Sequence, residues 1–101
     1  MRAHIKIHES LQGKIITLCD EELLGKTIEQ GDLKFDIGEF YKGNLIDLSE
    51  IEKGLFEDVS SIHVIGENSI RRLLDIGIIS NEDLDRVKYI NNIPILLIFY
   101  V

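Results

Sequence analysis

Tryptophan is absent, and cysteine, proline and methionine occur once each. One cysteine cannot close an internal disulfide, which suits a reducing compartment and points to a cytoplasmic location. No stretch approaches the roughly 18 consecutive apolar residues of a membrane-spanning helix. The start, Met1-Arg2-Ala3-His4-Ile5-Lys6, has no apolar signal-peptide core. Basic residues are few, with 11 against 18 acids and a formal net charge of −7. Phosphate contacts dominate nucleic-acid affinity, so this balance disfavours tight nucleic-acid binding. Glycines do not assemble into a Gly-x-Gly-x-x-Gly or Walker loop, which leaves nucleotide binding unsupported.

What remains is 101 residues, 45% hydrophobic, with three tyrosines and four phenylalanines. That is the size of one domain, taken as residues 1–101. The chain turns on Cys19-Asp20-Glu21-Glu22-Leu23-Leu24-Gly25. Upstream, Lys14 to Cys19 is β-branched and too short for a buried helix, so it reads as a central strand. Asp20 is placed to N-cap a short helix through the amides of Glu22 or Leu23, with Glu21 and Glu22 in its positive first turn. Gly25 is placed to end that helix.

Along the chain, residues 2–8 alternate, with Ala3, Ile5 and Ile7 opposite Arg2, His4, Lys6 and His8. His4 and His8 would lie roughly 13 Å apart on a strand, too far to share a metal. Residues 9–13 form a turn, so Lys14–Cys19 returns antiparallel as a hairpin. Leu33 to Ile37 alternates again. Gly38 to Asn44 reads as a loop, with a turn at Gly43-Asn44 and with Phe40 and Tyr41 between its glycines. Leu48, Ile51 and Leu55 form a helical stripe, capped by Asp47 or Ser49 and running through Glu57. Ile62–Ile65 is a short strand. Gly66-Glu67-Asn68 turns it into a helix over about Ser69–Ile76, ended by Gly77. Ser80 and Asp83 approximate a capping box for another short helix. Lys88-Tyr89-Ile90 reads as a strand. Pro94 introduces the last one, where it needs no ladder donor. Ile95–Val101 is apolar on both faces.

The fold expected is α+β, a two-layer sandwich with five or six mostly antiparallel strands and about three short helices chiefly on one face. The other face would then carry apolar side chains of Lys14–Cys19 and Ile95–Val101 beside Arg2, His4, Lys6 and His8. Soluble monomers seldom expose such a patch. A second copy in a two-fold homodimer would cover it most simply; a different protein partner or the Phe40–Tyr41 loop would serve instead.

Several pieces resemble a small archaeal family, domain of unknown function 424. They are Cys19-Asp20-Glu21-Glu22-Leu23-Leu24-Gly25-Lys26, Phe40-Tyr41-Lys42-Gly43-Asn44-Leu45, Ile65-Gly66-Glu67 and the terminal strand after Ile93-Pro94, in order over nearly the whole chain. The resemblance implies a compact two-layer α/β sandwich and an archaeal cytoplasmic source, and it brings no assigned activity. Similar proteins tend to carry Gly-Val-Pro-His near the C-terminus. Here the run is Asn92-Ile93-Pro94-Ile95, so no role for that histidine transfers.

Two functions stay open. One is a non-enzymatic binding or accessory module, with a link to archaeal information processing that rests on the family's character alone. Its candidate surface residues are Asp20, Glu21, Glu22, Tyr41, Gly66 and Glu67, while Cys19, Gly25, Gly43, Gly77 and Pro94 are structural. No catalytic residue, metal or cofactor is assigned. The other is a small enzyme or ligand-binding protein using Cys19 and the acids beside it. Adjacent carboxylates raise a thiol's pKa and so oppose a nucleophilic Cys19. Burial of Cys19, or its exposure beside a histidine, separates the two.

Overall fold

The computed structural model describes residues 1–100. Among the described residues, eight strands carry it. They are β1 (Arg2–Ser10), β2 (Gly13–Asp20), β3 (Thr27–Gln30), β4 (Leu33–Asp36), β5 (Asn44–Asp47), β6 (Val59–Ile65), β7 (Lys88–Ile90) and β8 (Ile93–Phe99). Six form one sheet in the order β5-β1-β2-β6-β8-β7, and β3 and β4 form a separate two-stranded ribbon. All pairings are antiparallel except β2 with β6, which run parallel.

Alternation along each strand sorts the side chains. Ala3, Ile5, Ile16, Leu18, Ile62, Val64, Leu96 and Ile98 line one face and build the larger core with Leu48, Ile51, Phe56, Ile70, Leu73 and Ile79. Cys19, Ile65 and Ile95 point the other way, into a second core completed by Leu23, Ile28, Ile37 and Tyr41. Thus the ribbon and the Phe40–Tyr41 turn lie over the second face. Both core clusters run through β2, which explains its unbroken apolar reading.

The expectation of a sandwich with three helices is corrected. The protein is mainly β, and among the described residues one α-helix stands, α1 (Glu67–Asp75). Glu21–Leu23 is only a 3₁₀ turn, and Leu48–Glu50, Lys53–Phe56 and Asp83–Arg86 are likewise short turns of that kind. The supposed loop at Asn44 is instead the start of β5, which adds to β1. Helices this short gain too few hydrogen bonds to offset nucleation unless packing holds them. In the 47–57 segment, packing selects a different path. Asp47 does accept from the Ser49 amide at 2.9 Å and hydroxyl at 2.7 Å. Ile51 is then extended, and Phe56 (6% exposed) is buried in place of Leu55 (38% exposed). A larger aromatic reaches the core at the expense of the helical stripe.

This choice is testable by paired truncation. Phe56→Ala should cost about 3–5 kcal/mol in a denaturant titration, whereas Leu55→Ala should cost about 1 kcal/mol or less. Equal losses at the two positions would restore the helical stripe.

Candidate functional site

The Cys19–Gly25 junction sits at the C-terminal end of β2, beside the end of β6 and the start of α1. Its three carboxylates do not form a cluster. Asp20 turns inward and is nearly fully buried. One of its oxygens accepts from the Ser69 amide at 2.8 Å and the Ser69 hydroxyl at 2.5 Å; the other accepts from the Asn68 amide at 3.2 Å. Asp20 therefore caps α1, not the Glu21–Leu23 turn, with which it makes no side-chain cap bond. Parallel pairing brings Cys19 opposite Ile65 and so sets Asp20 beside the helix entry. A carboxylate against the free amides of a first helical turn is favourable in both hydrogen bonding and dipole. Burial pushes the Asp20 pKa up, and the Ser69 and Asn68 donors oppose that rise.

Gly66 belongs to the same contact. Its φ is +110°, and a Cβ there would strike the Asp20 side chain. Only glycine lets the chain leave β6 and still meet the cap. The Gly66 amide donates to the Pro94 carbonyl, and the Gly66 carbonyl accepts from Ile70 in α1. That carbonyl is already engaged, so Pro94 removes no ladder bond.

Of the remaining candidates, Glu21 reaches Arg2 with both oxygens, at 2.8 and 3.2 Å. Glu22 is exposed. Glu67 is exposed and pairs with Arg71 one turn on in α1. Tyr41 is buried with its ring edge-on to Phe40. Gly25 (φ +86°) follows the 3₁₀ turn and donates to the Ile37 carbonyl, which ties the ribbon down. Gly77 (φ +78°) follows α1. Gly43 lies so close to the Ile5 carbonyl that no Cβ fits. The structure thus joins Asp20 to Gly66 and leaves Glu22, Tyr41 and Glu67 apart.

Cys19 is fully buried among Leu23, Ile28, Ile37, Tyr41, Ile65 and Ile95. Its thiol faces the Asp20 carbonyl at 3.4 Å. Burial first, then the charges of Asp20 and Glu22, push its pKa from 9.0 to about 12. Such a thiol is a poor nucleophile at neutral pH.

A second constellation was not legible as a set. His8, Phe40, His63 and Phe99 come from four separated segments and meet on the second face, beyond the ribbon. His8 stacks on Phe40 with centroids 4.4 Å apart. Phe40 meets His63 edge-on at 5.5 Å, and His63 meets Phe99 edge-on at 6.0 Å. The His8 ring and the Thr17 hydroxyl both donate to the Phe40 carbonyl, at 3.0 and 3.3 Å, which anchors this turn to the sheet. Alternation sets His8 on the polar face of β1, but only the cross-strand order makes it a neighbour of His63. Burial, then the nearby His8, push the His63 pKa below its ordinary value.

Two consequences follow for the junction. Asp20→Ala would leave two amides and a hydroxyl without their acceptor and should lower stability by about 2 kcal/mol, while Glu22→Ala should change it by less than about 0.5 kcal/mol. Equal effects in chemical denaturation would refute the capping role. For Cys19, the unfolded thiol ionises near 9 while the folded one holds its proton to about 12. Its contribution to stability is therefore complete below the unfolded value and lost as pH rises towards the folded one. Denaturant midpoints of the protein should fall more steeply over that alkaline range than those of Cys19→Ala; parallel curves would contradict the assignment.

The comparisons agree with this architecture. A crystal structure of an uncharacterized conserved protein from Methanopyrus kandleri superposes with a TM-score of 0.82, at 23% identity, covering 98% of this chain and 91% of that one. At that identity the likeness speaks for the fold. No match appears among curated proteins. The family model described as protein of unknown function (DUF424) matches residues 8–101, and the chain belongs to that family.

Proposed function

We propose that this protein is a non-enzymatic binding module whose contact surface is the His8–Phe40–His63–Phe99 strip. The observation that carries the reading is the exposure of that strip. Phe40 is 41% exposed, Leu97, opposite His63 in the ladder, 42% and Phe99 69%. Contiguous apolar surface of this kind is the usual mark of a docking site. Rings held by one another and by the Phe40 carbonyl lose little freedom on binding, which favours them as anchors.

The enzymatic alternative loses its nucleophile. Cys19 is enclosed, its pKa is raised, and Asp20 spends both oxygens on α1. The net charge of −7 favours a partner with basic groups around an apolar anchor. It opposes bases stacking on the strip, because their phosphates would meet an acidic field. A cytoplasmic site of action fits the single cysteine; among the described residues no helix is long and apolar enough to cross a membrane.

Site-specific photo-crosslinking in the native cytosol tests the reading. A benzophenone side chain at position 99 should capture a protein, other than a second copy of this chain, that the same group at Glu57 does not. The captured protein, once purified, should bind Phe99→Ala and Phe40→Ala at least ten-fold more weakly than the parent chain, with thermal unfolding of both variants little changed. Indifference of that protein to both substitutions, or tight binding of mixed RNA near physiological salt, would count against it.

A further inference from the structure

We infer that the open edge of β8 is a pairing site for β8 of a second copy, joining two sheets into one across a two-fold axis. The phase of the ladder exposes it. The Gly66 amide bonds the Pro94 carbonyl and the Tyr100 amide bonds the Ser60 carbonyl at the other end. Even-numbered residues of β8 therefore face β6, and the N–H and C=O groups of the odd-numbered ones face away. On that outer side β7 reaches only Ile93 to Ile95. The outward groups of Leu97 and Phe99 are left without a strand.

Edges of this kind are normally guarded by charge, proline or brevity. The other edges here are guarded. β5 has four residues and ends in Asp47, β7 has three and begins with Lys88, and the unpaired end of β1 carries Lys6 and Glu9. From Leu96 to Tyr100 there is neither charge nor proline. The slot is also self-complementary. A two-fold axis at Ile98 sets Leu97 opposite Phe99 of the second copy, and Phe99 opposite its Leu97. Each such pair exchanges both hydrogen bonds. The β7 strand of each copy bounds the slot at Ile95 and so fixes the register. The two exposed side chains, Leu97 and Phe99, then stand beside one another across the new seam, each shielding the other's flank.

The pairing is made by backbone groups of the edge but shares Leu97 and Phe99 with the ring strip, and Phe40→Ala, which lies off the edge, separates the two readings. Each copy carries −7, so repulsion opposes it and added salt should strengthen it. The test is light scattering of the full chain over a concentration series, with amide hydrogen exchange. The expected result is a mass approaching twice 11.6 kDa, with Leu97 and Phe99 amides that become protected as concentration rises. Leu97→Pro deletes one outward N–H and no bond to β6, so it should give a folded monomer. Phe99→Lys should do the same, and decides the matter if the proline variant fails to fold. Phe40→Ala, off the edge, should remain dimeric. A wild-type monomer up to about 1 mM, or a dimer that persists in Phe99→Lys with both amides exchanging freely, would overturn the proposal.

Discussion

The buried carboxylate of Asp20 is the contact on which the arrangement depends. It lies at the end of one parallel strand and bonds the first turn of the helix that follows the other. A single side chain thereby fixes the exit of β2, the sharp leave-taking of β6 at Gly66, and the seating of α1 over the larger core. Removing a carboxylate from water carries a penalty of several kcal/mol unless donors replace the solvent. Here two amides and a hydroxyl do so, and none of the buried side-chain polar atoms described is left without a partner. That is the physical reason the Cys-Asp-Glu-Glu run does not act as an acidic cluster. Its members divide among a thiol in the second core, a helix cap, an ion pair with Arg2 and an exposed glutamate.

With the junction occupied in this way, the surfaces left over gain significance. The ribbon and the Phe40–Tyr41 turn cover the second face where Thr17, Cys19, Ile65 and Ile95 lie. Further along, the sheet continues without a cover, and four rings bridge the gap between the turn and β8. Beside them, the last residues of β8 outrun β7. The open face and the open edge share one cause, since the elements that would cover them stop short of Leu97 and Phe99.

Much of the strand pattern was readable, for strands depend on alternation and turn residues. The β1–β2 hairpin follows from residues 2–8 and the turn after them, and the terminal strand from Pro94 and the apolar run beyond it. Helices were read too generously. Caps and 3.6-residue spacing at Asp47 and at Ser80 are local signals, and they are satisfied equally by one 3₁₀ turn. Whether the turn propagates depends on tertiary packing, as the exchange of Leu55 for Phe56 in the core illustrates. The partner of Asp20 was hidden for a similar reason. Its nearest amides in sequence belong to Glu22 and Leu23, and only the parallel β2–β6 pairing brings Ser69 closer. The ring strip needs strand order as well, which no local pattern encodes.

A double-mutant cycle on Asp20 and Ser69 tests this account most directly. The single variants Asp20→Ala and Ser69→Ala and the double variant would be compared by chemical denaturation. The two losses should not be additive, with a coupling of about 1 kcal/mol or more, because each change removes the same contact. Additive losses, within about 0.3 kcal/mol, would mean that Asp20 does not hold α1 to the sheet.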